Sequence, residues 1–261
     1  MHLLACLIGA LCLLLAPAAS ACGPFRVAYF DYPGLYQRDA QGHEFGLDVE
    51  LVQAVSRLSG CRLEAQPSSA QRTWQALMDG ELDIATSALQ TPEREQRYEF
   101  IVMARTHALV LMRTADGARL RSREAFLADP GALLLAVRGT RYSPRLSQWL
   151  ATLKERGRLT EAGDMPSALR AFEGGRAQGL LIYPMALTGR DADWVARHAV
   201  QNWWPEEAAQ GGWALSRQTL KPAERDRIRQ AVNLLRRDGS LRRLQIKHLG
   251  SGAAALFLEA E

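Results

Sequence analysis

The chain has 261 residues, 48% of them apolar, and its 32 Lys and Arg against 28 Asp and Glu leave a net charge of +4. That length and apolar content suffice for one or two packed cores. The cations are interspersed with the acids rather than gathered in a run, which fits a solvated surface and argues against a nucleic-acid partner.

Residues 1–21 contain no Asp, Glu, Lys or Arg and run through Leu3, Leu7, Leu11 and Leu15 to Pro17 and Ala19-Ser20-Ala21. An apolar run closed by small residues is the pattern of a secretory signal peptide, and this run is shorter than the ~20 residues of a membrane span. Only the terminal amine and His2 supply positive charge at its start. On this reading 1–21 is removed and the mature chain, from Cys22, is periplasmic. Cys6 and Cys12 leave with the leader, so Cys22 and Cys61 remain as an even pair in an oxidising compartment, which predicts a disulfide. The alternative is a lipoprotein anchored through Cys22 as its first residue.

In chain order, the mature chain opens with a strand over 25–30, followed by a turn-rich stretch through Pro33, Gly34 and Gly42. A helix starts near Leu47, with Leu51, Val55 and Leu58 on one face and Gly60 as its stop. A strand over 62–66, a helix carrying Trp74, Leu77 and Met78, and a strand over 82–87 come next. Strands alternating with helices predict parallel βαβ units. Thr91-Pro92-Glu93-Arg94 is a helix start, because Thr91 can cap free N–H groups and Pro92 has the backbone angle of a first helical position.

An extended apolar segment over 108–112 leaves this unit for a second one. That unit comprises a helix from Ser122, a strand over 133–137, a helix after Pro144 with Leu146, Trp149, Leu150 and Leu153, and a strand over 179–183. Beyond a loop with Trp203, Trp204 and Pro205 lie a strand over 213–216 and a helix from Pro222 with Ile228, Val232 and Leu235 on one face. Asp238-Gly239-Ser240 breaks it before a last helix, and the tail over 253–261 reads as frayed.

Catalytic patterns are scarce. His2, His43, His107, His198 and His248 stand apart, without the paired spacing of metal ligands, and no Gly-x-Ser-x-Gly elbow occurs. No cofactor or metal is expected, and the chain reads as a binder rather than an enzyme.

Tyr32-Pro33, Gly46-Leu47-Asp48, Leu82-Asp83-Ile84, Thr91-Pro92-Glu93-Arg94 and Asp238-Gly239-Ser240 stand in an order and spacing that resembles the bacterial extracellular solute-binding proteins, family 3, which serve amino-acid-type ABC transporters. The resemblance implies an α/β, two-lobed periplasmic-binding-protein (Venus-flytrap) fold of type 2, with two hinge strands and a ligand between the lobes. It divides the chain into a first lobe over 22–110, a second over 111–200 and a return to the first over 201–261.

Carried over by position, Arg94 matches the arginine that clamps the ligand carboxylate, a role that its permanent charge and planar fork suit. The plainer alternative is a surface arginine paired with Glu93, Glu95 or Glu99. Thr86 and Ser87, ending a strand, match hydroxyls that bond the same end of the ligand. Tyr32 matches an aromatic cover. In the second lobe Gly139-Thr140-Arg141 lies between strand and helix, where free N–H groups favour an anion, so Thr140 and Arg141 join the candidate site.

Relatives that bind α-amino acids place an acid after the second-lobe strand to receive the ammonium, and here Tyr183 stands there. Cation–π contact with Tyr183, Tyr32 or Trp74 is then the route left for an ammonium. Arg72 adds a second cation near the cleft, and if it faces inward with Arg94 a dicarboxylate fits as well. The expected partners are a small-molecule ligand and the membrane permease of an ABC transporter, with the protein a monomer. A receptor as partner, or a dehydratase on the same scaffold, are the rival readings.

Overall fold

A computed structural model describes residues 22–255. The leader read over 1–21 and the last residues of the tail, 256–261, lie outside the described residues.

From the N-terminus the elements are β1 (Cys22–Phe30), a small hairpin of β2 (Gln37–Arg38) and β3 (Glu44–Phe45), α1 (Leu47–Ser59), β4 (Cys61–Ser68), α2 (Ala70–Met78), β5 (Ile84–Leu89), α3 (Pro92–Glu95) and β6 (Tyr98–His107). There follow β7 (Leu109–Arg113), α4 (Thr114–Arg119), α5 (Arg123–Ala128), β8 (Leu134–Val137), α6 (Pro144–Glu155), β9 (Leu159–Ala162), α7 (Met165–Glu173) and β10 (Gly179–Ile182). After a 3₁₀ turn (Pro184–Leu187) come α8 (Ala192–Ala196), β11 (His198–Gln201), β12 (Ala208–Ser216), α9 (Pro222–Arg237) and α10 (Ser240–Ala255).

Two five-stranded sheets result, ordered β4-β1-β5-β12-β6 and β11-β7-β10-β8-β9, and they give the molecule its two lobes. In the first, β1 runs parallel to β4 and β5, with Val27 opposite Ala65 and Ile84. β12 lies antiparallel between β5 and β6, so this sheet is completed by a strand from late in the chain. Two connections join the sheets. Only Ala108 separates β6 from β7, and the segment with Trp203 and Trp204 returns to β12. His107 Nε2 lies 3.0 Å from the Pro205 carbonyl, so the two crossings touch.

The pattern of apolar side chains explains the layers. Leu47, Leu51 and Val55 recur at helical spacing and are buried, and Gly60 ends α1 with φ 67, a left-handed angle suited to glycine. Leu51 and Val55 join Val27, Trp213, Ile228 and Val232 in the core of the first lobe, and Leu47 packs with Leu35 and Leu249. Each such large side chain contributes roughly 1.5–3 kcal/mol by leaving water. In the second lobe Phe126, Trp149, Trp203 and Trp204 pack as an aromatic cluster with ring centres between 5.3 and 5.9 Å apart. The tryptophans read as loop residues are therefore core.

Cys22 and Cys61 sit opposite one another on β1 and β4 and form a disulfide. A sulfur in that bond is not free to carry a lipid. The tail also differs from expectation: α10 continues to Ala255, with a kink at Gly250, and Ala254 is fully buried. Among the described residues no helix is long and apolar enough to cross a membrane.

Candidate functional site

The parallel strands of both sheets end on one cleft. Asp31 and Tyr32 follow β1, Ser68 ends β4, Ala88 and Leu89 end β5, Val137 ends β8 and Gly163 follows β9. Carboxyl ends of strands are where open α/β sheets hold ligands. The cleft has a volume of about 340 Å³, within the range of small-molecule sites.

Arg94 stands on α3, a single turn opened by Thr91, whose hydroxyl accepts the Arg94 backbone N–H at 3.3 Å, and by Pro92. Its side chain lines the cleft although the residue is only 8% exposed. The guanidinium carbon lies 3.5 Å from the centre of the Trp74 ring, and Nη1 donates to the Leu89 carbonyl at 2.7 Å. The acids that a surface arginine would take are engaged elsewhere. Glu93 lies 3.9 Å from Arg141, Glu95 accepts from Gln90, and Glu99 accepts from Arg225 and Arg229 at 2.9 and 3.0 Å. No carboxylate among the described residues pairs with Arg94. Burial first, and the charge of Arg141 second, push its pKa down to about 9. A buried cation without a counter-ion is costly to the protein that keeps it.

Ser87 ends the regular part of β5 with φ 43 and lines the cleft. Its hydroxyl donates to Asp48 Oδ1 at 2.9 Å, so the single hydroxyl proton is committed and the oxygen offers the cleft lone pairs. Thr86 is placed differently from the sequence expectation. Its side chain is fully buried, lies 2.8 Å from Asp48 Oδ2 and 3.1 Å from the Ala28 carbonyl, and does not line the cleft. Asp48 itself is 1% exposed, and burial raises its pKa to about 6 against the pull of the two hydroxyls.

Tyr32 covers the cleft and ties the lobes together. Its hydroxyl accepts the Tyr183 backbone N–H at 2.9 Å and donates to the Tyr183 carbonyl at 3.4 Å. Tyr183 is buried, lines the cleft and stacks on Tyr142 at 6.3 Å between centres. Burial raises the pKa of both Tyr32 and Tyr183, so both are neutral rings.

The second-lobe loop departs from what the sequence implied. Helix α6 begins at Pro144, after Thr140 and Arg141, and the Thr140 N–H donates to the Val137 carbonyl at 3.3 Å. Thr140 and Arg141 line the cleft, but not as a helix N-terminus. Gly139 approaches the other lobe so closely that a Cβ there would lie 3.1 Å from the Gln71 nitrogen. Arg72 lines the cleft as an exposed residue, unlike the buried Arg94.

Two acids escaped the sequence reading. Asp31 and Asp164 line the same cleft, one after β1 and one before α7. Partial burial, and next the charge of Asp164, raise the pKa of Asp31. Asp164 Oδ1 accepts the Ser167 N–H at 2.7 Å as a helix cap. Neither aspartate has an ion-pair partner within 4.0 Å among the described residues. Among the described residues no group of three or more His, Cys, Asp or Glu is arranged to hold a metal ion.

Solved structures share this architecture. A substrate-binding protein of an ABC uptake transporter from Streptococcus pneumoniae with bound histidine superposes with a TM-score of 0.72 at 17% identity, covering 87% of this chain and 92% of that one. A histidine kinase sensor domain similar to periplasmic binding proteins gives 0.72 at 18% identity, over 92% and 99%. The GluR0 ligand-binding core from Nostoc punctiforme, in complex with L-glutamate, gives 0.68 at 18% identity, over 87% and 100%. No curated protein matches the chain. Residues 26–251 match the family model described as bacterial extracellular solute-binding proteins, family 3, and the chain belongs to that family.

Proposed function

We propose that this protein captures a small molecule carrying both a carboxylate and an amino group, holds it between its lobes without altering it, and presents the loaded form to a membrane permease. The observation that carries the reading is Arg94, a buried cation in the cleft with no acid partner among the described residues and with its guanidinium laid on Trp74. A ligand carboxylate supplies the missing charge through two parallel hydrogen bonds. Asp31 and Asp164 receive the ammonium, the task for which Tyr183 offers only a neutral ring face, and Ser87 adds a lone pair. The acids favour a zwitterion over the dicarboxylate that Arg72 and Arg94 together would suit.

Closure follows from differential contact. Arg94, Ser87, Trp74, Asp31 and Tyr32 come from one lobe, and Asp164, Thr140, Arg141 and Tyr183 from the other. A ligand that touches both sets only when they are close shifts the lobe equilibrium by that difference in affinity.

The test is a thermal-shift panel on the mature protein with amino acids, dicarboxylates and amines, since a ligand that binds the folded state raises its apparent stability. Stabilisation by amino acids that disappears in Arg94→Ala supports the reading. A response to dicarboxylates or to simple amines alone refutes it. Adjacent permease and ATPase genes would support the transport partner, and an adjacent receptor gene would replace it.

A further inference from the structure

The cleft does not end at Ser87. Beyond it the same space is lined by Leu47 and Leu51 of α1, Met103 of β6, and Leu241 and Gln245 of α10, with Trp213 of β12 as a further wall. These residues all belong to the first lobe and line the same cleft as Asp48 and Ser87, so this part of it forms an inner chamber. A break in strand pairing lies in its wall. The β12–β6 register shifts between Gly211, opposite Ala104, and Gly212, opposite Val102, leaving Met103 without a partner residue. Only glycine fits at 212, because a Cβ would come within 2.0 Å of the Ile101 carbonyl oxygen.

The chamber is mostly apolar, with the Gln245 amide and the Asp48 carboxylate on its lining, and two further polar atoms find no hydrogen-bond partner among the described residues, the Trp213 Nε1 and the Thr106 Oγ1. Both residues are more than nine-tenths buried, at 1% and 2% exposure. A buried donor left unpaired is costly, and native interiors seldom tolerate it. A buried water forms about three hydrogen bonds, and a predominantly apolar lining offers few partners for one. An apolar group that ends in an acceptor satisfies the walls and the indole N–H together.

Resting on the cleft reading above, we propose that the chamber receives the side arm of the bound amino acid, and that the preferred arm is unbranched and apolar with a neutral hydrogen-bond acceptor near its end, held by Trp213 Nε1–H. This makes Trp213 a specificity-determining residue with no part in holding the charged end of the ligand.

The experiment titrates the full mature protein with L-alanine, L-norleucine and L-methionine sulfoxide, which present no arm, an arm without an acceptor and an arm with one. Calorimetry gives affinities, and the indole N–H resonance of Trp213 in ¹⁵N-labelled protein, assigned by its loss in Trp213→Phe, reports the contact directly. The expected order is alanine weakest and the sulfoxide tightest, about 5- to 10-fold beyond norleucine. Only the sulfoxide should move the Trp213 resonance, and Trp213→Phe should erase its advantage over norleucine. Equal affinities for all three with an unmoved resonance, while Arg94→Ala still abolishes binding, would overturn the chamber and leave the cleft reading standing. No binding of any probe, or binding indifferent to Arg94→Ala, would overturn both. Should Trp213→Phe fold poorly, the wild-type resonance, assigned by selective labelling, still decides the matter.

Discussion

The guanidinium carbon of Arg94 lies over the ring of Trp74, 3.5 Å from its centre, and no carboxylate among the described residues pairs with it. The free protein thus keeps a buried cation that a ring face and one backbone carbonyl only partly stabilise. Arg94→Met should lower affinity for an amino-acid ligand by at least about 100-fold, since two charge-assisted bonds of roughly 1.5–3 kcal/mol each are lost. The same substitution should leave the ligand-free protein as stable as before, or more so, because it removes a desolvated charge. Calorimetry and thermal unfolding together check this. Unchanged affinity, or a collapse of stability, would contradict it.

Tyr32 links the lobes through the backbone of Tyr183 rather than through a side chain. Tyr32→Phe keeps the ring over the cleft and removes that link, leaving the Tyr183 N–H without its acceptor. A net hydrogen bond of about 1 kcal/mol corresponds to roughly 5-fold weaker binding, through a less favourable closed form. Small-angle scattering should show a larger radius of gyration for the ligand-free variant. Identical scattering and affinity would mean that the bond does not contribute to closure.

How far the sequence could lead depends on where each signal lives. Helices α1 and α9 were legible because their buried residues recur at helical spacing, and Gly60 marks a C-terminus that needs a left-handed angle. Strand β6 was not read, because Glu99 and Arg105 interrupt its apolar residues, and Glu99 is neutralised by Arg225 and Arg229 from α9 and by Arg217. Arg94 was reachable from its motif, but its isolation from acids was not. The expectation for Thr86 failed on strand geometry. Neighbouring strand residues face opposite sides, and only the positive φ of Ser87 turns its hydroxyl to the same carboxylate. Asp164 had a readable cap signal in Asp164-Met165-Pro166-Ser167, whereas its meeting with Asp31 across the cleft is purely tertiary.

The Cys22–Cys61 bond closes a loop across a sequence separation of 39, and in the chain-entropy account a loop of that size stabilises by about 4 kcal/mol. Reduction, or replacement of both cysteines by serine, should lower unfolding stability by up to that amount, read from urea transitions with and without reductant. Because β1 and β4 stay paired from Phe25 opposite Leu63 to Phe30 opposite Ser68, beyond the bridge, the reduced protein should still bind ligand at low temperature. Intact mass on a non-reducing gel digest shows the bridge directly, and a diacylglyceryl group on Cys22 would exclude it.

Asp48 makes stability depend on pH in a direction opposite to that of Asp83, Glu44 and Glu99. Burial raises its pKa from 3.8 to about 6. Between those values the folded state binds more protons than the unfolded one, so the free energy of unfolding falls as pH rises. The contribution is fully present below about 3.8, is lost as pH climbs through about 6, and amounts to about 3 kcal/mol for a group this buried. Asp83, Glu44 and Glu99, whose pKa values are held down by arginine partners, act with the other sign, so the measurement must be a difference. Urea unfolding of the native protein and Asp48→Asn from pH 4 to 8 should show the native protein losing stability relative to the variant as pH rises through 6. A constant difference would mean that Asp48 does not titrate in this range. Binding should follow the same group, because a protonated Asp48 accepts the Ser87 proton less strongly and can donate its own O–H to Ser87, which frees the Ser87 proton to point at the ligand. Affinity for an ammonium-bearing ligand should therefore weaken in the native protein below pH 6, and Asp48→Asn should bind with little pH dependence over the same range.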